Sequence, residues 1–100
     1  MEVIINKNGK ETVVGLVGRL DTPASIEIAP QIEELKESTA GTVILDCKAL
    51  EYISSSGLRL FLGLRKAASE KGGKIVVSNI SPDIRNVFMM TGFLNLFEIR

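Results

Sequence analysis

Thr42-Val43-Ile44-Leu45-Asp46-Cys47 is a strand-length apolar run with no polar alternation, and it begins directly after Gly41. A strand with one wet face alternates apolar and polar residues; a run without alternation reads as a central strand buried on both faces. Lys74-Ile75-Val76-Val77-Ser78 has the same character. Two such strands separated by a helical pattern imply crossover connections and a largely parallel sheet. The chain's 100 residues allow one hydrophobic core but not two, so a single domain over residues 1–100 is expected.

The remaining segments fit this frame. Val3-Ile4-Ile5 and Thr12-Val13-Val14-Gly15-Leu16-Val17 are β-branched runs on either side of Asn8-Gly9, a strong two-residue hairpin signal. Both faces of the second run are apolar, which puts it inside the sheet. Asp21 or Thr22 can cap a first helix with Pro23 in its first turn, and Ile26, Ala29, Ile32 and Leu35 form an approximate apolar stripe. Pro30 interrupts that stripe, predicting either a kink or a helix that becomes regular only there. A second helix spans Ser55 to about Lys71 and stops at Gly72-Gly73. A third opens at Ser81-Pro82-Asp83, carries Ile84, Val87, Phe88 and Thr91 on one side and ends at Gly92, and Leu96-Phe97-Glu98-Ile99 is a last short strand. The order β, β, α, β, α, β, α, β predicts an α/β sandwich in which a mixed, mostly parallel sheet with an N-terminal hairpin packs against helices.

Composition narrows the function. Twelve basic residues balance twelve acidic ones, so no net field draws the chain to nucleic acid or to an anionic membrane. No apolar run reaches the ~20 residues of a membrane span. With one cysteine and no histidine, internal disulfides, the usual zinc sets and Ser-His-Asp or Cys-His catalysis are all unavailable. Walker and dinucleotide-type glycine loops are absent. Cys47, ending a buried strand, reads as a small core residue, and no metal or cofactor is expected. A Ser-Lys nucleophile would need a lysine near Ser54–Ser56, and the nearest, Lys48, lies before the junction. Asp21 and Asp46 at strand ends could form a carboxylate pair, though acids there are more often caps and salt-bridge partners. Met89-Met90 reads as core filler, with a soft binding surface as the other possibility. A reducing, cytoplasmic setting fits these features.

Chemistry concentrates where Tyr52-Ile53 meets Ser54-Ser55-Ser56-Gly57-Leu58-Arg59. A helix beginning there leaves backbone N–H groups unpaired beside a partial positive charge, which suits a serine cap or a phosphate equally well. On a helical wheel Leu60, Phe61, Leu64, Ala67 and Ala68 fall within an arc of about 120° and should face the sheet. Arg59, Gly63, Lys66 and Glu70 lie opposite. Leu58 and Leu62 share the angular sector of Ser55, predicting either an apolar surface patch beside the serine or cover by a neighbouring helix.

Asp46 and Leu50 followed by Tyr52-Ile53-Ser54-Ser55-Ser56-Gly57-Leu58-Arg59 resemble the signature of STAS domains, in particular the bacterial anti-sigma factor antagonists. Gly18-Arg19-Leu20-Asp21, Gly72-Gly73, Ile80-Ser81-Pro82 and Phe88-Met89-Met90-Thr91-Gly92-Phe93 extend the likeness over nearly the whole chain. The resemblance implies a phosphoserine-regulated binding module rather than an enzyme: unphosphorylated, it holds an anti-sigma factor that is itself a serine kinase and so releases a sigma factor. Phosphorylation would abolish that binding, and a serine phosphatase would reverse it. By position the acceptor is Ser55, with Ser54 where the family carries an aspartate. Asp21, Ser54, Ser55, Ser56, Gly57, Leu58 and Leu62 are then the expected partner-binding residues. The same family likeness leaves a subunit of a lipid-transport or anion-transporter assembly as an alternative, and the sandwich alone would also suit a small hydrolase or nucleotide-binding enzyme.

Overall fold

The computed structural model describes residues 1–100. Its elements in order are β1 (Glu2–Asn8), β2 (Glu11–Leu20), α1 (Thr22–Leu35), a 3-10 turn at Lys36–Ser38, β3 (Thr42–Asp46), β4 (Leu50–Ile53), α2 (Ser55–Lys71), β5 (Lys74–Ser78), α3 (Pro82–Met90), a 3-10 turn at Phe93–Asn95 and β6 (Glu98–Ile99). The sheet runs β1-β2-β3-β5-β6, and every pairing is parallel except that of β1 with β2. This is the expected mixed α/β architecture. The hairpin differs by one residue from the Asn-Gly expectation: Asn8 pairs with Glu11, so the turn residues are Gly9 and Lys10. Only Gly9 has positive φ, at 65°, as a type II′ turn requires.

The predicted order of elements has no strand between β3 and α2; in the structure Leu50–Ile53 forms one, β4. β2 is ten residues long and serves two partners, pairing through Glu11–Gly15 with β3 and through Gly18–Leu20 with β4. The change of partner falls at a bulge, where Gly18 takes φ 107° and its N–H donates to the Ala49 carbonyl at 3.0 Å. A side chain at that φ would be strained, which is why glycine stands there.

Each crossover steps in the same direction along the sheet, so right-handed connections put all three helices on one face. Val14, Leu16, Val43, Leu45, Ile75 and Val77 from that face join Ile28 and Ile32 of α1, Leu58, Phe61 and Leu64 of α2, and Ile84 and Phe88 of α3 in a single core. The other face is only partly covered. Val13, Gly15, Val17 and Ile44 are half-buried there, so the expectation that β2 and β3 are buried on both sides is not met. Phe61, Phe88, Phe93 and Phe97 stack with centroids 6.1 to 6.4 Å apart and join α2, α3 and the C-terminal segment.

Helix α1 is continuous through Pro30. The proline and Ile26, whose carbonyl loses its donor, both lie on the exposed side, so water can satisfy the freed oxygen. The buried stripe is accordingly Ala24, Ile28, Ile32 and Leu35, whereas Ile26, assigned to the core from sequence, is 73% exposed. Met89 and Met90 are also exposed rather than core filler. Cys47 is fully buried, and burial, reinforced by the Asp46 charge, pushes its thiol up to about 12.

In its first turn α2 packs against the ends of β2 and β4 without room for a side chain. A Cβ on Gly57 would lie 2.7 Å from Leu20 Cγ and 3.0 Å from Ile53 Cγ1. Gly57→Ala gains ~1 kcal/mol of helix propensity but overpacks a closed contact at a cost of ~1–3 kcal/mol. The net expectation is a lowered melting temperature, by roughly 5 °C, measured by circular dichroism; an unchanged or raised value would show that the helix start is free to move. Ser54→Ala should cost about 1 kcal/mol in urea unfolding, because its hydroxyl caps α2, whereas Ser55→Ala should stay within about 0.5 kcal/mol. Native Cys47 should resist a thiol-reactive dye at pH 8 and react only after denaturant is added, since the thiolate is the reactive form.

Candidate functional site at the carboxyl edge of the sheet

Parallel strands linked by helices deliver every helix N-terminus to the same sheet edge. Each helix here begins with a side-chain cap. Asp21 Oδ1 accepts from Ala24 N–H at 2.9 Å, Ser54 Oγ from Gly57 N–H at 3.2 Å and Ser81 Oγ from Ile84 N–H at 3.2 Å. The partial positive charge of three helix dipoles is thereby gathered along one rim.

Two of these starts are fastened together. Ser54 N–H donates to the Leu20 carbonyl at 2.9 Å, closing the β2–β4 ladder just where both strands end. Asp21 follows Leu20 in the chain, so the beginnings of α1 and α2 stand side by side. Leu20 and Ile53 form a pair with both side chains in the core, while the preceding pair, Arg19 and Tyr52, projects to the opposite side, with the guanidinium 4.5 Å from the ring centroid. That cation–π contact was not anticipated from sequence, although the parallel alignment of the Gly-Arg-Leu-Asp and Tyr-Ile-Ser segments generates it.

The serines occupy distinct environments. Ser54 is half-buried and extended, at φ −89° and ψ 171°, with its oxygen committed to the cap. Ser55, the first helical residue, is exposed, and its hydroxyl makes no hydrogen bond within the chain. Ser56 is half-buried and Gly57 buried. The first-turn amides of Ser55 and Ser56 have no intrahelical acceptors.

Leu58 and Leu62, expected as a joint patch, are separated by the fold. Leu58 is 4% exposed and belongs to the core, on a helix that packs against α1 and the sheet. Leu62, one turn further along, is 37% exposed. It lies on the outer side of α2 among Arg59, Arg65, Lys66 and Glu70. This helix presents a mainly basic surface; α1 presents Glu27, Glu33 and Glu34, and the 3-10 turn after it Glu37.

The two acids at the strand ends are both engaged in local turns. Asp21 is engaged in capping α1, and Asp46 Oδ1 accepts from Lys48 N–H at 3.0 Å and from Asn79 Nδ2 at 3.1 Å, so each acid organises its own turn. No group of three acidic, cysteine or histidine side chains is disposed to hold a metal. No helix is long and apolar enough to cross a membrane. An exposed hydroxyl at a helix start, backed by a fixed cap, is a place where a charge can be added from outside with little disturbance of the fold.

The sequence matches the STAS domain family over residues 2–100. It is 30% identical to the anti-sigma F factor antagonist of Paenibacillus polymyxa over 88 residues, which span 87% of this chain and 75% of that protein. Among solved structures, it superimposes on the anti-sigma factor antagonist SpoIIAA in its unphosphorylated form with a TM-score of 0.76 at 25% identity, covering 99% of this chain and 87% of the other. The phosphorylated form of the Bacillus cell fate determinant SpoIIAA gives a TM-score of 0.75 at 26% identity, with 99% and 91% covered. A family match spanning all but the first residue, together with the same sheet and helix arrangement, makes this chain a member of the STAS domain family.

Proposed function

We propose that this chain is an anti-sigma factor antagonist whose binding is switched by phosphorylation of Ser55. The observation that carries the reading is the exposed, unbonded Ser55 hydroxyl at the start of α2, next to a serine already committed to holding the helix. Its relatives support the reading: the Paenibacillus polymyxa protein is named for the antagonist activity, and SpoIIAA has been solved with and without phosphate.

In the unphosphorylated state the rim formed by Asp21, Ser54, Ser55, Ser56 and Gly57, with Leu62 beside it, docks on an anti-sigma factor that is also a serine kinase, and a sigma factor is released. Leu58 supports this rim from beneath. Transfer of a phosphoryl group to Ser55 adds a charge of about −1.5 to −2 at the centre of the docking surface. Because the helix start tolerates an anion, the modified protein stays folded, and separation comes from steric clash and charge repulsion at the interface. A serine phosphatase restores the binding form. The chain itself works as a cytoplasmic binding module and catalyses nothing.

Incubation with a serine-kinase anti-sigma factor and ATP, followed by mass mapping, should place the phosphate on Ser55, and Ser55→Ala should lose it. Labelling of Ser55→Ala at the wild-type level would overturn the assignment. In a titration Ser55→Asp should weaken association with the same partner by about tenfold or more, equivalent to ~1.4 kcal/mol; unchanged affinity would count against the switch.

A further inference from the structure

Ser55 and Arg59 are four residues apart on α2, which places them about 40° apart around the helix axis and one turn apart along it. Both are exposed. Of the other arginines, Arg19 lies over Tyr52, Arg65 Nε donates to the Leu96 carbonyl at 2.6 Å and Arg100 pairs with Glu98, while Arg85 is free but belongs to α3. Arg59 has neither an ion pair nor a side-chain hydrogen bond, so its guanidinium is uncommitted.

We infer that Arg59 clamps the phosphoryl group of phosphorylated Ser55, folding it back along the outer side of α2. The inference rests on the reading of Ser55 as the acceptor. An acid preceding a base by four residues is the favoured orientation for a helical pair. A guanidinium can also meet two phosphate oxygens at once, which a lysine cannot match. The acid beside this helix start is Asp21, which follows Leu20 and caps α1. It repels a phosphate from the side of α1 and favours the direction of Arg59. The clamp keeps the modified residue from extending freely into solvent and takes Arg59 out of the basic surface on the outer side of α2.

Phosphoserine installed at position 55 during translation makes the test independent of any kinase. In a phosphorus NMR titration of the full chain at low salt, the second ionisation of the phosphate, ordinarily near pH 6, should fall about 0.3 of a pH unit lower in the native sequence than in Arg59→Gln. Arg59→Lys should recover part of the difference, and about 0.5 M salt should remove most of it. Equal titration of the native and Arg59→Gln proteins, with circular dichroism showing both folded, would overturn the clamp. A clear shift here combined with kinase labelling at a serine other than Ser55 would retain the pairing and reject the acceptor assignment.

Discussion

Leu20 fastens the site to the fold by two separate means. Its carbonyl takes the N–H of Ser54 at 2.9 Å, and its side chain fills the space that a Cβ on Gly57 would occupy, 2.7 Å from that position. The hydrogen bond fixes where β4 ends. The side-chain contact fixes how closely α2 approaches. Because Asp21 follows immediately and caps α1, this one residue sets the relative position of two helix starts. The serine-rich junction therefore rests on a packed core residue, Leu20, which is 0% exposed, rather than on a mobile loop.

The electrostatic character of the rim follows from topology before it follows from composition. A chain with equal numbers of acidic and basic residues has no long-range field of its own, yet parallel crossovers align three helix dipoles toward the same edge. The caps at Asp21, Ser54 and Ser81 satisfy one amide each and leave others free, so the edge retains a preference for negative charge. Formal charge varies between helices instead, with acids along α1 and bases along α2. A phosphate at the head of α2 thus meets a favourable dipole and a favourable side-chain face together.

Much of this was legible in the sequence, and the misses have common causes. The helix from Ser55 to Lys71, the hairpin, the strand at Lys74–Ser78 and the parallel order could be read because each has a strong local signature: periodicity, turn chemistry or a glycine stop. The separate β4 could not, since only a partner switch along β2 distinguishes it from the run before it. Continuous apolar strands led to an expectation of two covered faces; that holds at Val76 of β5, but every crossover steps the same way and leaves the second face of β2 and β3 only partly covered. The wheel left both Leu58 and Leu62 outside the sheet-facing arc, yet Leu58 is a core residue and Leu62 is exposed; which of the two is covered depends on the elements packed against α2, and the wheel contains no such information. Ile26 and the Met89–Met90 pair were misassigned for the same reason: apolar character says nothing about whether a partner surface exists.

The bulge at Gly18 also governs which serine faces outward. β4 carries the extra residue of the bulge, Glu51, so Leu50 and Ile53 both reach the core with exposed Glu51 and Tyr52 between them, and α2 begins at its end, so the phase of a four-residue strand is passed on to the helix. A slip of one residue would turn Ile53 out of the core. It would also carry the helix start round by about 100°, exchanging a half-buried serine for the exposed one. The identity of the residue presented to a partner is in this sense decided upstream, by a glycine that permits one irregular step in the ladder between β2 and β4.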